Sequence, residues 1–181
     1  MVPTGLAVSD PLIAAVRTIP DFPEPGVLFK DITPVLDDPA LFQEAIERLA
    51  TPFTAAEVTH IVGIESRGFW FGPTMAARLR AGFVPARKPG KLPFTTLREE
   101  YALEYGTDAI EIHADALGTG DRVLIHDDVI ATGGTAAATA RLVQQTGAEV
   151  VGFSFFVELA FLEGREHLPE GVLVRSVLRV E

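Results

Sequence analysis

Cysteine is absent from the 181-residue chain, so neither a disulfide, a thiolate metal site nor a cysteine nucleophile can form. Long apolar runs are also missing, since none reaches the ~20 residues that a membrane-spanning helix requires. The first ten residues, MVPTGLAVSD, lack the basic-then-apolar layout of a signal peptide. We therefore expect a cytoplasmic protein that has no membrane partner.

Positive charge is scarce, because 15 lysines and arginines face 25 aspartates and glutamates, for a formal net charge of −10. A negative field over the whole molecule disfavours nucleic acid as the main partner, since binding to a phosphate backbone requires a positive surface. The basic residues are nevertheless concentrated locally, in a short segment that contains Arg87, Lys88, Lys91 and Arg98. Composition therefore still allows a small phosphorylated ligand.

Two early segments carry the same signal for the beginning of a helix. Asp10 precedes Pro11 in SDPLIAAVRTI, and Asp38 precedes Pro39 in LDDPALFQEAIERLA. Proline loses nothing at the first helical position, and the preceding carboxylate accepts hydrogen bonds from the first unpaired amides. We predict a helix after each aspartate and, between the two helices, a proline-punctuated segment in which no regular element is long.

From residue 58 onward, apolar runs alternate with helical segments. The predicted strands are VTHIVGIES, FVPARK, DRVLIHDD and AEVVGFSFFVEL. The predicted helices are FGPTMAARLRAG, which we expect to end at Gly82, and TAAATARLVQQTG, which we expect to end at Gly147. Alternation of strands and helices is typical of an α/β fold with a mostly parallel central sheet flanked by helices.

Between these strand–helix units lies PGKLPFTTLREEYALEYGTDAIEIHADAL, which has glycine, proline and alternating apolar positions. This pattern favours an extended hairpin or flap outside the central sheet. The near-terminal stretch EGVLVRSVLRV either closes the sheet or packs on a partner. No repeat or linker indicates a second domain, so we expect residues 1–181 to form a single domain.

Ligands of open α/β sheets bind beyond the carboxyl ends of the strands, where GIESRG and HDDVIATGGT stand in this chain. In the second stretch, residues 132–135 (TGGT) lead directly into a helix. Glycine lets backbone N–H groups approach a ligand, and a helix N-terminus carries partial positive charge, so this turn can hold an anion without a lysine. The alternative is an ordinary strand-to-helix turn; neither a Walker A motif nor GxGxxG is present.

An acidic pair, Asp127 and Asp128, stands immediately before the turn. Carboxylates repel phosphate but accept hydrogen bonds from hydroxyl groups. The pair therefore suits a sugar phosphate, whose phosphate lies on the turn amides and whose hydroxyls meet the aspartates. Negative charge beside a ribose would also stabilise positive charge at the anomeric carbon. The alternatives are solvated strand-end residues, a helix-capping pair or a metal-binding pair.

The stretch VLIHDDVIATGGT resembles the signature of the type I phosphoribosyltransferases, which bind 5-phosphoribosyl-1-diphosphate (PRPP). Four further blocks, FPEPGVLFKDITPVL, GIESRGFWFGP, RKPGKLP and LEYGTDAIEIH, are similar to those of the family members that act on adenine, in the same order. The resemblance covers most of the chain from Phe22 to Leu159. The turn is common to the family, whereas FKDITP, ESRGF and RKPGKLP together are much more specific.

The resemblance implies the fold of that family, with an N-terminal base-binding hood at about residues 1–36 and a flap at about residues 89–116. It implies a homodimer that converts adenine and PRPP to AMP and pyrophosphate. It also implies Mg²⁺ as a cofactor that is carried on the diphosphate of PRPP, without a metal site built from protein ligands.

The resemblance further implies roles for individual residues. The residues implied to bind the phosphate and ribose are Asp127, Asp128, Ala131, Thr132, Gly133, Gly134 and Thr135. Those implied to bind pyrophosphate are Ser66, Arg67, Arg87, Lys88 and Lys91, and those implied to frame the base are Val27, Leu28, Phe29 and Lys30. Glu104, in the flap, is the candidate catalytic residue, which would accept the adenine N9 proton or stabilise the cationic sugar.

Two residues depart from the family pattern. Lys30 stands where we expect arginine, which weakens any inference of bidentate contacts at that position. His126 stands where an apolar residue is usual, and we expect it to be a partly buried strand-end histidine without a catalytic role.

Three other functions are compatible with the acidic pair and the turn. The first is a phosphoribosyltransferase for hypoxanthine, xanthine or orotate, against which residues 22–36 argue. The second is a PRPP-sensing regulator, which would require a DNA-binding module that we do not expect before the DFPEPG block. The third is a plain nucleotide-binding α/β domain, which the basic cluster at residues 87–91 disfavours.

Overall fold

The computed structural model describes residues 10–102 and 106–181, which fall into two compact units, Met1–Ala45 and Ile46–Glu181. The elements of the first unit are α1 (Pro11–Ala14), β1 (Arg17–Pro20), β2 (Leu28–Asp31), α2 (Thr33–Asp37) and the beginning of α3 (Pro39–Ala50). Strands β1 and β2 form an antiparallel hairpin. Arg17 Nε donates to Asp31 Oδ2 at 2.9 Å, which ties the two strands together.

Both predicted helix starts are confirmed. Asp10 Oδ1 accepts from Leu12 N at 3.1 Å, and Asp38 Oδ1 accepts from Ala40 N at 2.8 Å. Helix α1 is nevertheless shorter than SDPLIAAVRTI suggests, because the chain from Arg17 onward pairs as a strand. Helix propensity in so short a segment is therefore outweighed by strand pairing.

The second unit contains the remaining helices and strands. These are β3 (His60–Ile64), α4 (Gly68–Leu79), β4 (Gly82–Ala86), β5 (Thr96–Ala102), β6 (Thr107–His113), β7 (Arg122–Ile130), α5 (Gly134–Gln145), β8 (Glu149–Leu159) and β9 (Leu173–Val180). Short 3₁₀ helices occupy Thr51–Ala56, Ala160–Leu162 and Gly164–His167.

The central sheet has five parallel strands in the order β4-β3-β7-β8-β9, which confirms the predicted α/β class. Helix α4 packs on β3, β4 and β7, and α5 packs on β7 and β8. The near-terminal stretch EGVLVRSVLRV supplies β9, which closes this edge of the sheet. The middle strand, β7, lies between neighbours on both sides and therefore presents its carboxyl end at the centre of one sheet edge.

The core of this unit is apolar on both sides of the sheet, as expected for buried parallel strands. Val62, Val123, Ile125 and Phe153 are completely buried in it. Within residues 10–102 and 106–181, no helix is long and apolar enough to span a membrane.

Strands β5 and β6 form a separate antiparallel sheet, which confirms the predicted hairpin outside the central sheet. Glu99 on β5 accepts hydrogen bonds from Arg141 Nε at 2.5 Å and from Gln145 Nε2 at 2.9 Å. These contacts attach the middle of strand β5 to helix α5.

The predicted end of the helix at Gly82 was wrong. Helix α4 ends at Leu79, Arg80 takes a left-handed conformation at φ 57°, and Gly82 is already the first residue of β4. Ala81 N donates to Ala76 O at 2.9 Å, which satisfies a carbonyl of the last turn. The end expected at Gly147 is confirmed, since α5 stops at Gln145 and Gly147 has φ 82°.

Candidate active site

The turn that follows β7 begins helix α5 without help from a side chain. Gly133, at φ 80°, is the N-cap residue, and no side chain of the described part of the chain caps this helix. The first main-chain hydrogen bond there runs from Ala137 N to Gly133 O at 2.9 Å. The preceding amides of the first turn have no acceptor within the helix, so they can donate to a ligand.

A cavity of about 180 Å³ lies directly on this turn. Its lining consists of Asp127 together with residues 129–136. The helix N-terminus gives one side of the cavity a partial positive charge, and the small residues of the turn keep its floor open. The cavity is therefore suited to a small anionic group such as a phosphate.

The two aspartates before the turn have different surroundings. Asp127 lines the cavity, and its Oδ1 accepts from Asp128 N at 2.8 Å. The side chain of Asp128 is buried, and Arg67 Nε lies 3.1 Å from its Oδ2. One carboxylate is thus available to a ligand at the cavity, while the other holds the guanidinium of Arg67 against the strand end.

Both carboxyl groups are harder to ionise than free aspartate. Burial and the charge of neighbouring Asp128 raise the pKa of Asp127 well above its ordinary value. Burial also raises the pKa of Asp128, although the positive charge of Arg67 opposes the rise. A ligand that brings hydroxyl donors or positive charge would favour the ionised pair.

The ESRG loop lies against the end of β7. A Cβ atom added to Gly68 would be only 2.8 Å from His126 O and 3.3 Å from Asp127 Oδ1, so a larger residue would displace the loop. The Glu65–Ser66 peptide bond in this loop is cis. Ser66 is exposed, and Arg67 is partly exposed.

Glu65 connects the ESRG loop to the basic segment that follows β4. Its Oε2 accepts from Lys88 N at 2.8 Å and from Arg87 Nε at 3.2 Å. Burial acts to raise the pKa of Glu65, but these hydrogen bonds outweigh burial and lower it. Glu111 on β6 fixes the next part of the segment, because its Oε2 accepts from Gly90 N at 3.1 Å.

The ammonium group of Lys88 contacts the β5–β6 hairpin. It forms an ion pair with Asp108 and donates to Tyr101 OH at 2.8 Å. The hydrogen bond from Lys88 is the main reason that the pKa of Asp108 lies below its ordinary value. Lys91, in contrast, has an exposed side chain. Two basic residues predicted to bind pyrophosphate, Arg87 and Lys88, are thus already paired with carboxylates.

The segment predicted to frame the base lies in the first unit. Leu28 begins β2, and Val27 and Leu28 are exposed at 42% and 60%. The rings of Phe29 and Phe22 pack edge to face with centroids 5.1 Å apart, and Lys30 Nζ donates to Thr18 Oγ1 at 2.9 Å. The predicted catalytic residue, Glu104, lies outside the described residues.

His126 differs from the sequence-based expectation of partial burial. It is completely buried within β7, where its Nδ1 lies 2.9 Å from Ser154 O. Its ring meets Phe71 edge to face, with centroids 6.0 Å apart. Burial lowers the pKa of His126 to about 4, so the ring is neutral near pH 7.

Comparison with known proteins identifies the family to which this arrangement belongs. A family model described as the phosphoribosyl transferase domain matches residues 33–167. An adenine phosphoribosyltransferase of Synechococcus sp. is 58% identical over 168 residues, which cover 92% of this chain and 96% of the relative. The chain belongs to the adenine phosphoribosyltransferases, within the phosphoribosyltransferase family.

Solved structures of adenine phosphoribosyltransferases have the same fold. The crystal structure from Rhodothermus marinus is 62% identical, with a TM-score of 0.89, and the match covers 93% of this chain and 96% of that one. The enzyme from Saccharomyces cerevisiae, crystallised with adenine and an imino-altritol bisphosphate, is 44% identical, with a TM-score of 0.88 and coverage of 92% and 96%.

Several residues that organise this phosphoribosyltransferase site were not anticipated from sequence. Glu65 and Asp108 pair with the basic segment, Gly68 brings the ESRG loop against β7, and Gly164 lies against the turn at residues 131–135. Gly68 and Glu65 both lie in the motif GIESRG, so the sequence offered a signal for these two residues. The partners of Asp108 and Gly164 depend on long-range packing, for which a single sequence carries no signal.

Proposed function

We propose that this protein transfers the phosphoribosyl group of PRPP to adenine, which gives AMP and pyrophosphate. The observation that carries the proposal is the cavity on the turn, where a helix N-terminus and the carboxylate of Asp127 line the same space. Membership of the adenine phosphoribosyltransferases selects the acceptor. The enzyme from Trypanosoma brucei, 26% identical with a TM-score of 0.82, was crystallised with AMP, pyrophosphate and ribose-5-phosphate.

In this proposal the two ends of the turn cavity hold different parts of PRPP. The amides of residues 131–135 hold the 5′-phosphate, and Asp127 faces the ribose hydroxyls. Asp128 would face them as well, once it exchanges its contact with Arg67 for the ligand. As the bond from C1′ to pyrophosphate breaks, positive charge grows on the sugar, and the carboxylate of Asp127 stabilises it. Covalent participation by the protein is unnecessary, since positioning and electrostatic stabilisation account for the chemistry.

The basic residues would receive the leaving pyrophosphate. Arg67 is held beside the acidic pair, Arg87 lies beside Glu65, and Lys91 and Ser66 are exposed to solvent. Lys88 would need to exchange its contact with Asp108 for the ligand. Positive groups around departing pyrophosphate lower the cost of its developing charge.

Mg²⁺ fits this site as an ion carried by the substrate. Magnesium prefers oxygen ligands and usually keeps several from phosphates and water, rather than entering a cage of protein groups. The carboxylate of Asp127 offers a hard oxygen beside the cavity, whereas the pyrophosphate-binding candidates are mainly cationic. Bound in this way, Mg²⁺ would neutralise part of the diphosphate charge.

The base-binding part of the proposal rests on the family resemblance. Val27, Leu28, Phe29 and Lys30 would frame adenine, with Phe29 as the stacking face, and about residues 1–36 would act as the hood. Glu104, in a flap at about residues 89–116, would accept the N9 proton of adenine or stabilise the cationic sugar. We also propose that the whole chain works as one domain in a cytoplasmic homodimer.

A comparison of base specificity tests the proposal. Purified protein is incubated with PRPP, Mg²⁺ and one of adenine, hypoxanthine, guanine or xanthine, and formation of the nucleotide is followed with radiolabelled base. We expect AMP formation from adenine to exceed all other products by at least about a hundredfold in kcat/KM, because mispaired buried polar groups penalise the wrong base. Preference for a 6-oxopurine would overturn the assignment, and omission of Mg²⁺ should abolish turnover.

A further inference from the structure

The turn at residues 131–135 contacts the backbone of a segment that is distant in sequence. A Cβ atom on Gly133 would lie 2.2 Å from Gly164 O, and a Cβ atom on Gly164 would lie 2.1 Å from Ala131 O. Real Cβ atoms essentially never come within 3.0 Å of such a neighbour. Because the two main chains are in direct contact, the position of Gly164 limits the positions that the turn can adopt.

The residue after Gly164 is anchored to the end of the central sheet. Arg165 Nε donates to Glu158 Oε1 at 2.7 Å, and a second guanidinium nitrogen donates to Oε2 at 2.5 Å. Two parallel hydrogen bonds between arginine and a carboxylate fix direction as well as distance. Ser176 on β9 adds a hydrogen bond to Glu158 Oε2 at 2.7 Å.

Glu158 is an unusual residue for the end of a central strand, because it is charged and only 4% exposed. Burial acts to raise the pKa of Glu158, but the hydrogen bonds from Arg165 and Ser176 outweigh it and keep the carboxyl ionised. On the other side of the segment, Leu168 is buried in the core. Residues 164–167 are therefore held at both ends.

We infer that Gly164 and the Glu158–Arg165 ion pair are positioning residues that hold the turn in the shape required for the 5′-phosphate. None of the three lines the cavity on the turn. They act through main-chain contact with residues 131–133. The amides of residues 131–135 must point at one anion, so a shift of the turn would weaken its binding. The inference rests on the proposed function for the identity of the ligand, although only the phosphate end is involved.

Calorimetric titration with two ligands tests the inference. Ribose 5-phosphate reports on the turn, and pyrophosphate with Mg²⁺ reports on the basic segment. We expect Arg165→Gln to weaken ribose 5-phosphate binding by roughly tenfold or more, with pyrophosphate affinity unchanged within about twofold. Arg165→Lys should restore part of the affinity, because lysine keeps the charge but loses the paired geometry.

Arg179→Gln is the matched control. Arg179 contacts the same carboxylate, with its Nη1 3.3 Å from Glu158 Oε1, but it lies on β9 and not beside Gly164. Its removal should leave both affinities unchanged. Ser176 differs from Arg179 because it bonds both partners of the ion pair: it donates to Glu158 Oε2 and accepts from Arg165 Nη2 at 3.2 Å. Ser176→Ala is therefore the milder variant. It should show the same selectivity with a smaller loss, even if Arg165→Gln fails to fold.

Each contrary outcome is distinct. Unchanged ribose 5-phosphate affinity in Arg165→Gln, or in Ser176→Ala if Arg165→Gln does not fold, overturns the inference, as does equal weakening of both ligands. A wild-type protein that does not bind ribose 5-phosphate overturns it as well. A wild-type protein that binds ribose 5-phosphate but makes no AMP from adenine rejects the proposed function alone.

Discussion

The buried histidine before the acidic pair should make stability fall as the pH falls. His126 is completely buried, its Nδ1 faces Ser154 O at 2.9 Å, and its Nε2 has no hydrogen-bond partner in the described residues. If the ring took up a second proton, no acceptor among the described residues would stabilise the N–H group at Nε2. Burial lowers the pKa of His126 from 6.5 to about 4.

The magnitude follows from this difference in pKa. Below about pH 6.5 the unfolded chain binds a proton at this histidine, whereas the folded chain stays neutral until about pH 4. Acidification therefore favours the unfolded state across that window. Between about pH 7.5 and pH 5, the loss is about 1.5 pH units at ~1.36 kcal/mol each, or about 2 kcal/mol. Leucine at this position cannot take up a proton and avoids the loss.

Urea denaturation of the wild type and of His126→Leu, at both pH values, measures the effect. The free energy of unfolding of the variant, minus that of the wild type, should increase by about 2 kcal/mol on acidification. Titration of Asp127 and Asp128 occurs in both proteins and largely cancels in this difference. An unchanged difference between the two pH values would refute the reasoning.

The remaining predictions concern the reaction. Replacing both Asp127 and Asp128 by alanine should abolish PRPP turnover while circular dichroism shows an intact fold, and wild-type rates would contradict the ribose assignment. Glu104→Gln should lower kcat far more than it raises KM, because only transition-state interactions behave in this way; a change confined to KM would indicate a binding role. Gly68→Ala should raise KM for PRPP by roughly tenfold with little change for adenine, since the added Cβ would lie 2.8 Å from His126 O and must displace the ESRG loop. An unchanged KM for PRPP would show that the loop tolerates the shift.

Local chemistry made several features predictable from the sequence. The Asp–Pro pairs at residues 10 and 38 specify helix starts, because capping involves only neighbouring amides. The alternation of apolar runs and helical segments predicted the parallel sheet. The TGGT turn after the acidic pair indicated the family. The same local reasoning placed the end of α4 wrongly at Gly82, since Arg80 adopts the left-handed conformation itself.

The sequence by itself determined where α1 and α3 begin and which four apolar runs become strands β3, β4, β7 and β8 of the central sheet. Only the tertiary structure decided that Gly164 lies against that turn, that Lys88 pairs with Asp108, and that His126 is fully enclosed. The physical reason is the separation along the chain of the residues that interact. Capping, turns and periodicity depend on a few consecutive residues, whereas these contacts join segments that meet only after the strands have taken their places in the sheet.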